Sequence, residues 1–272
     1  MRGNNPVLSR PDAWQGTTTP SQYAQYPGQQ FPGQQFPGQP TDFGPTSQPV
    51  QAGRMTIDDV ITKSAITMGT LMAVAALTFL FLPGALLAPA AIVGALVSFG
   101  VVLLVSFRRA INPAFVLAYA AIEGVFIGAI SKLYESLYSG IVPAAVMGTL
   151  VAAAVTLAAY KFFNIKVTNK FRKMVVIGTI AYAGVLFVNF ILSLFGINLM
   201  FGSGTSLGLL LLFSAIGVGL AVFNLILDFD YIEQGVAMGA PASESWRAAF
   251  GLTVTMVWLY IEILRLLSYF RR

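Results

Sequence analysis

The chain contains no cysteine and no histidine, and only 10% of its 272 residues are charged. Without cysteine there are no disulfides, no thiol nucleophile and no Cys-based metal site. Without histidine there is no imidazole base, which excludes serine-protease chemistry of the triad or rhomboid type. Proton chemistry, if any, falls to carboxylates. Charged residues make up about 25% of an ordinary soluble domain, whereas here 56% of the residues are hydrophobic. That balance predicts an integral membrane protein. The formal net charge of +5 does not point to nucleic acid, because the basic residues gather in short segments beside apolar runs, where they set topology.

The first 50 residues are of another kind. Gln, Pro, Gly, Ser and Thr dominate, and YPGQQFPGQQFPGQP contains a direct QFPGQ repeat. Such a segment cannot bury enough apolar surface to offset its ordering entropy, so residues 1–54 are expected to form a disordered tail. No apolar core follows the basic start, so the tail does not read as a signal peptide. It serves either as a flexible spacer or as a docking arm for a partner.

From Met55 onward a membrane domain, residues 55–272, is predicted. Thr56 is placed to cap a helix whose first turn carries Asp58 and Asp59, where carboxylates favour the helix dipole. Seven apolar runs follow, near 64–82, 88–107, 113–133, 141–163, 174–195, 207–232 and 248–270, each close to the roughly 20 residues that cross a bilayer. Pro83-Gly84, Asn112-Pro113 and Gly202 to Gly204 punctuate them. FGSGTS, residues 201–206, has the glycines of an anion nest but follows no strand, and reads as a span-linking turn.

Basic residues lie mostly on the tail side: Arg2, Arg10, Arg54 and Lys63, then Arg108 and Arg109, then Lys161, Lys166, Lys170, Arg172 and Lys173, then Arg247. Lys132 falls on the other side. The tail is therefore expected in the cytoplasm. Arg271 and Arg272 disagree with this pattern if all seven runs cross, and a re-entrant last segment would return them to the tail side.

Few acids interrupt the apolar runs: Glu123 in span three, Asp228 and Asp230 in LILDFDYIEQG of span six, and Glu262 in WLYIEILRLLSYF of span seven. An ionisable group at the bilayer centre costs at least about 2.5–3.5 kcal/mol and faces a bundle interior, a partner or water. Asp230 and Glu233 lie near enough to the cytoplasmic end for solvation to account for them. Asp228 lies about 10–12 Å deeper than that end at 1.5 Å per residue. Spans six and seven are antiparallel, so Asp228 and Glu262 meet if both point inward. Such a pair ionises only once cheaply and titrates as a unit, and its oxygens are of the kind Ca²⁺ prefers. The competing reading pairs Glu262 with Arg265 one turn away and leaves Asp228 to water. Glu123 either lines the same interior or is held by a neighbouring hydroxyl or by Arg109. Gly124 and Gly128 beside it form a small-xxx-small face for close helix approach. Asp228 with Glu262 superficially fits an intramembrane aspartyl protease, but LDFD lacks a GxGD-type context.

EGVFIGAIS in span three, LILDFDYIEQG in span six and AAFGLTVTMVWLYIEILRLLSYF in span seven closely resemble the Bax inhibitor-1 family, in particular its bacterial branch of YccA-like proteins. The resemblance covers about residues 55–272. It implies an all-α bundle of seven transmembrane helices with the last helix central, in a bacterial inner membrane, with no enzymatic activity. It further implies a Ca²⁺ leak channel, closed by a proton-sharing aspartate pair between spans six and seven, or a regulator of membrane-protein quality control that binds a membrane protease. Membrane lipids, Ca²⁺ and protons are the partners so implied, and no cofactor beyond the permeant ion. Carried over residue by residue, Asp228 takes the span-six position and Glu262 the span-seven one, with Ca²⁺ held at these two. Glu262 departs from the family aspartate by one methylene, Arg265 stands where the family carries polar residues, and the connection AMGAPASESW is long.

Overall fold

The computed structural model describes residues 53–108, 111–197 and 205–271. The expected disorder of the tail concerns residues almost wholly outside this set, and so do Arg109, residues 201–204 of FGSGTS, and Arg272. Among the described residues there are seven helices. They are α1 (Ile57–Phe81), α2 (Gly84–Phe107), α3 (Pro113–Leu137), α4 (Ile141–Phe162), α5 (Asn169–Leu194), α6 (Leu207–Ala237) and α7 (Glu244–Phe270). All seven are long and apolar enough to cross a membrane, which makes this a multi-pass membrane protein.

The caps follow the local chemistry. Thr56 Oγ1 accepts from the Asp59 N–H at 3.1 Å, Asn112 caps α3 with Pro113 in its first turn, and Thr168 and Ser206 cap α5 and α6. Each takes one of the amide donors that a helix start leaves without an internal acceptor. The helices outrun the apolar runs mainly on the tail side, where α1, α5, α6 and α7 begin or end up to two turns beyond them. An apolar run marks the length that lipid covers, while the hydrogen-bonded helix continues into the polar interface.

The last helix is central: α7 packs against α1, α3, α4 and α6. Its apolar contacts include Val257, Tyr260 and Leu264 against Leu71 of α1, Ile127 of α3 and Ala145 of α4. Outward positions such as Leu80, Phe107 and Ile180 remain exposed and belong to the lipid-facing surface. α7 is one unbroken helix of 27 residues, so the re-entrant alternative fails. Arg271 ends on the face opposite the tail, donating to the Ser139 carbonyl at 2.5 Å and the Gly140 carbonyl at 3.4 Å. These carbonyls of the α3–α4 turn supply the partners that explain a basic residue there.

On the tail face the chain is pinned before α1 begins. Arg54 forms an antiparallel bridge with Pro241 in the α6–α7 connection. The Met55 N–H donates to the Ala240 carbonyl and the Ala242 N–H to the Gly53 carbonyl, both at 2.7 Å. Gly239 turns through φ +65° to permit this, in a region that only glycine enters freely. Lys63 reaches from α1 to the Ala242 carbonyl at 2.9 Å and to Asp59 at 2.6 Å. The length of AMGAPASESW thus has a structural role as the partner of residues 53–55.

Candidate functional site

Glu262 is fully buried in α7. Arg265, one turn on, donates to both carboxylate oxygens at 3.2 Å. Tyr182 of α5 donates its hydroxyl to Oε1 at 2.9 Å, and the Trp258 indole N–H reaches the same oxygen at 3.3 Å. The Tyr182 ring stacks on Phe213 of α6 with centroids 4.5 Å apart and leans on Trp258 at 5.8 Å. A buried carboxylate persists only with such partners, and here a cation and two neutral donors supply them. Helix α5 packs chiefly on α6, so the Tyr182 hydroxyl is its link into the central helix.

The Glu262 carboxyl lies over Gly217 of α6, where an added Cβ would come within 2.7 Å of it and collide with the Tyr182 hydroxyl. Gly217→Ala is therefore expected to open the Tyr182 to Glu262 hydrogen bond and to cost about 1–3 kcal/mol as overpacking. A lower thermal midpoint together with altered Trp258 fluorescence is the expected result. An unchanged emission would show that the glycine is not the floor of this site.

Asp228 occupies a second place on the same seam. A Cβ added at Gly251 of α7 would lie 3.3 Å from Asp228 Oδ1, and Thr255, one turn along α7, faces the same carboxyl. Asp228 Oδ2 is buried and has no hydrogen-bond partner among the described residues. The residue lines a cavity of roughly 390 Å³ between α2, α6 and α7, with Ser106, Tyr231, Arg247 and Thr255 among its polar wall groups. The guanidinium of Arg247 is engaged by Glu244 at 2.8 Å, and Tyr231 donates to the same Glu244 oxygen at 2.7 Å.

The expectation that Asp228 partners Glu262 is thereby corrected. Gly217 and Asp228 are eleven residues apart on α6, as are Gly251 and Glu262 on α7, and eleven residues make three helical turns of about 16 Å. In this antiparallel register each acid packs on a glycine of the other helix, and the two carboxylates sit about three turns apart. A Ca²⁺ ion cannot bridge such a gap, because its oxygen ligands lie at about 2.3–2.6 Å. No group of three or more acidic, His or Cys side chains suited to a metal exists among the described residues. The alternative pairing of Glu262 with Arg265 holds, whereas Asp228 packs on Gly251 and lines a cavity of its own.

The other predicted residues separate similarly. Asp230 is not held by solvation: it is buried and accepts from Arg172 of α5 and from Gln234, each at 2.7 Å. Glu233 accepts from the Tyr160 hydroxyl at 2.6 Å. Both acids tie α6 to neighbouring helices at the tail face. Glu123 is buried with the Ser98 hydroxyl of α2 beside it, short of a well-formed hydrogen bond. A hydroxyl on a neighbouring helix is thus what Glu123 faces, while the proposed Arg109 contact lies outside the described residues. Sequence reasoning missed Tyr182, Trp258, Gly217 and Gly251. The repeated spacing from glycine to acid, eleven residues on each of two consecutive antiparallel spans, was the available signal for the two glycines.

A family model described as Bax inhibitor 1 like matches residues 5–272. The match reaches back into the Gln/Pro/Gly-rich segment that the sequence resemblance leaves out. Comparison with curated proteins finds no match.

Proposed function

We propose, from the premise that the chain belongs to the Bax inhibitor 1 like family, that it is a proton-sensitive cation leak pathway, with Ca²⁺ as the permeant ion, along the α6–α7 seam. In this reading it sits in a bacterial inner membrane with its N-terminal tail in the cytoplasm, the side carrying most of the basic residues. The observation that supports conduction is that Asp228, an acid inside a membrane span, lines the cavity between α2, α6 and α7. A carboxylate in a cleft with low-dielectric walls raises the local concentration of cations. Arg247 and Tyr231 face the same cavity, and Glu244 occupies both of them. Farther along the seam, the Glu262–Arg265 pair and Tyr182 close the path. Asp228 attracts the ion and the Glu262 cluster blocks it, so the two acids act as separate stations.

The test is Ca²⁺ entry into liposomes carrying the full chain at pH 6 and pH 8. Protonation removes the Asp228 charge, so flux is expected to be higher at pH 8. Asp228→Asn is expected to lower the pH 8 flux about tenfold, the equivalent of roughly 1.4 kcal/mol, and to abolish the pH dependence. Glu262→Gln loosens the block and raises flux at both pH values. Absence of flux in every variant would sink the conduction reading.

A second reading, a non-transporting regulator that docks on a membrane protease or other quality-control complex, is supported by one observation. The bridge from Arg54 to Pro241 joins the start of the membrane domain to the α6–α7 connection, so a partner holding the tail pulls directly on that connection. Deleting residues 1–50 would then remove regulation and leave flux unchanged.

A further inference from the structure

Helices α1 and α4 are not packed against each other, although both rest on α7. Between them runs an apolar groove of roughly 380 Å³ whose walls include Met68, Met72, Phe79, Val146, Leu150 and Met256. The groove is floored by Gly128 and by Ser131 and Tyr260, whose hydroxyls are 2.7 Å apart. Its rim residues Met72 and Leu150 are exposed, so it opens sideways into the hydrocarbon of the bilayer.

One end of the groove carries a charge. Lys132 follows Ser131 directly and stands one turn beyond Gly128 on α3. Its ammonium donates to the Leu82 carbonyl at 2.9 Å, at the end of α1 and one turn beyond Phe79. That places a cation at the headgroup level of the face opposite the tail, just where the groove ends. Lys132 has no ion pair among the described residues, and the nearby Glu135 is taken up by the Gly140 and Val142 amides that open α4. An ammonium donates three hydrogen bonds, and one is used here.

We propose that this groove binds a glycerophospholipid of the leaflet opposite the tail, with one acyl chain between α1 and α4 and its phosphate on Lys132. The apolar walls accept the chain, and the lateral opening admits it from the bilayer without passage through water. The ammonium selects the phosphate, because a lysine near a membrane surface favours an anionic headgroup by an amount equivalent to about a fivefold change in affinity. The bound chain would also fill a gap that otherwise leaves the α1 and α4 side chains without close neighbours.

The test is native mass spectrometry of the full chain in detergent, titrated with phosphatidylglycerol, with diacylglycerol of the same chains and with oleic acid. One phosphatidylglycerol is expected to bind about fivefold more tightly than diacylglycerol, with oleic acid weaker than both. Lys132→Gln is expected to erase the preference for the phosphate while keeping weak chain binding. Val146→Trp, at the lipid-exposed rim, fills the groove and removes binding of all three without disturbing buried packing. Lys63→Gln on the tail face leaves the titration unchanged. Equal affinity for phosphatidylglycerol and diacylglycerol, tighter binding of oleic acid than of either, or retention of the preference in Lys132→Gln would overturn the proposal.

Discussion

Arg265→Met is expected to destabilise the folded bundle by about 3–5 kcal/mol, because it leaves the fully buried Glu262 carboxylate without its cation. Tyr182 and Trp258 each donate one hydrogen bond to that carboxylate, but neutral donors do not replace a charge. Replacing both members, Glu262→Met with Arg265→Met, is expected to recover most of the loss, since an apolar pair of similar volume carries no desolvation penalty. Arg265→Lys should fall between, because a single ammonium cannot reproduce a planar group that reaches both oxygens. Thermal midpoints of the four proteins in one detergent measure this cycle. Equal midpoints for the single and double variants would show that the pair contributes nothing beyond packing.

Gly128→Val is expected to disrupt the contact between α1 and α3, the most extensive between any two helices of the bundle. A Cβ at Gly128 would run into the Ala75 carbonyl oxygen and come within 2.7 Å of Thr78 Cβ, and one at Gly124 would come within 2.7 Å of the Leu71 carbonyl. Those carbonyls are helix backbone and cannot swing aside, so the helices must separate. Alanine at either glycine is expected to cost about 1–3 kcal/mol as overpacking, and valine more. The control is Gly219→Ala on α6, where nothing lies within 4 Å of the added carbon and the better helix propensity of alanine favours stability by up to about 1 kcal/mol. If Gly128→Val and Gly219→Ala shift the midpoint alike, close approach at Gly128 is not what joins α1 to α3.

Much of the architecture is legible in the amino-acid sequence. Each of the seven apolar runs falls on one of the seven helices, Thr56 caps where expected, and Gly124 with Gly128 forms the close face of α3. Each of these rests on local chemistry: apolar length against bilayer thickness, a hydroxyl against free amides, a missing side chain against a neighbouring backbone. Asp230 was harder to read, because its partner Arg172 lies 58 positions away and looks like one more topology-setting cation of the α4–α5 segment. Tyr182 was invisible for a related reason. A tyrosine inside an apolar run reads as ordinary bundle packing until the helix it touches is known.

By itself the sequence determined that this chain is a helical, multi-pass membrane protein whose carboxylates are its only intramembrane acids, since composition and run length answer directly to the bilayer. Only the tertiary structure decided which of those acids meet. Two antiparallel apolar helices can slide past each other by a turn, about 5.4 Å, with little change in how well either suits lipid, so hydropathy leaves their register open. The register adopted here is marked by two glycines. Gly217 receives Glu262 with its arginine, and Gly251 receives Asp228 beside an open cavity. The acids expected to form one pair became two sites because each packs on a glycine of the opposite helix, closely enough at Gly217 that no side chain fits beneath Glu262.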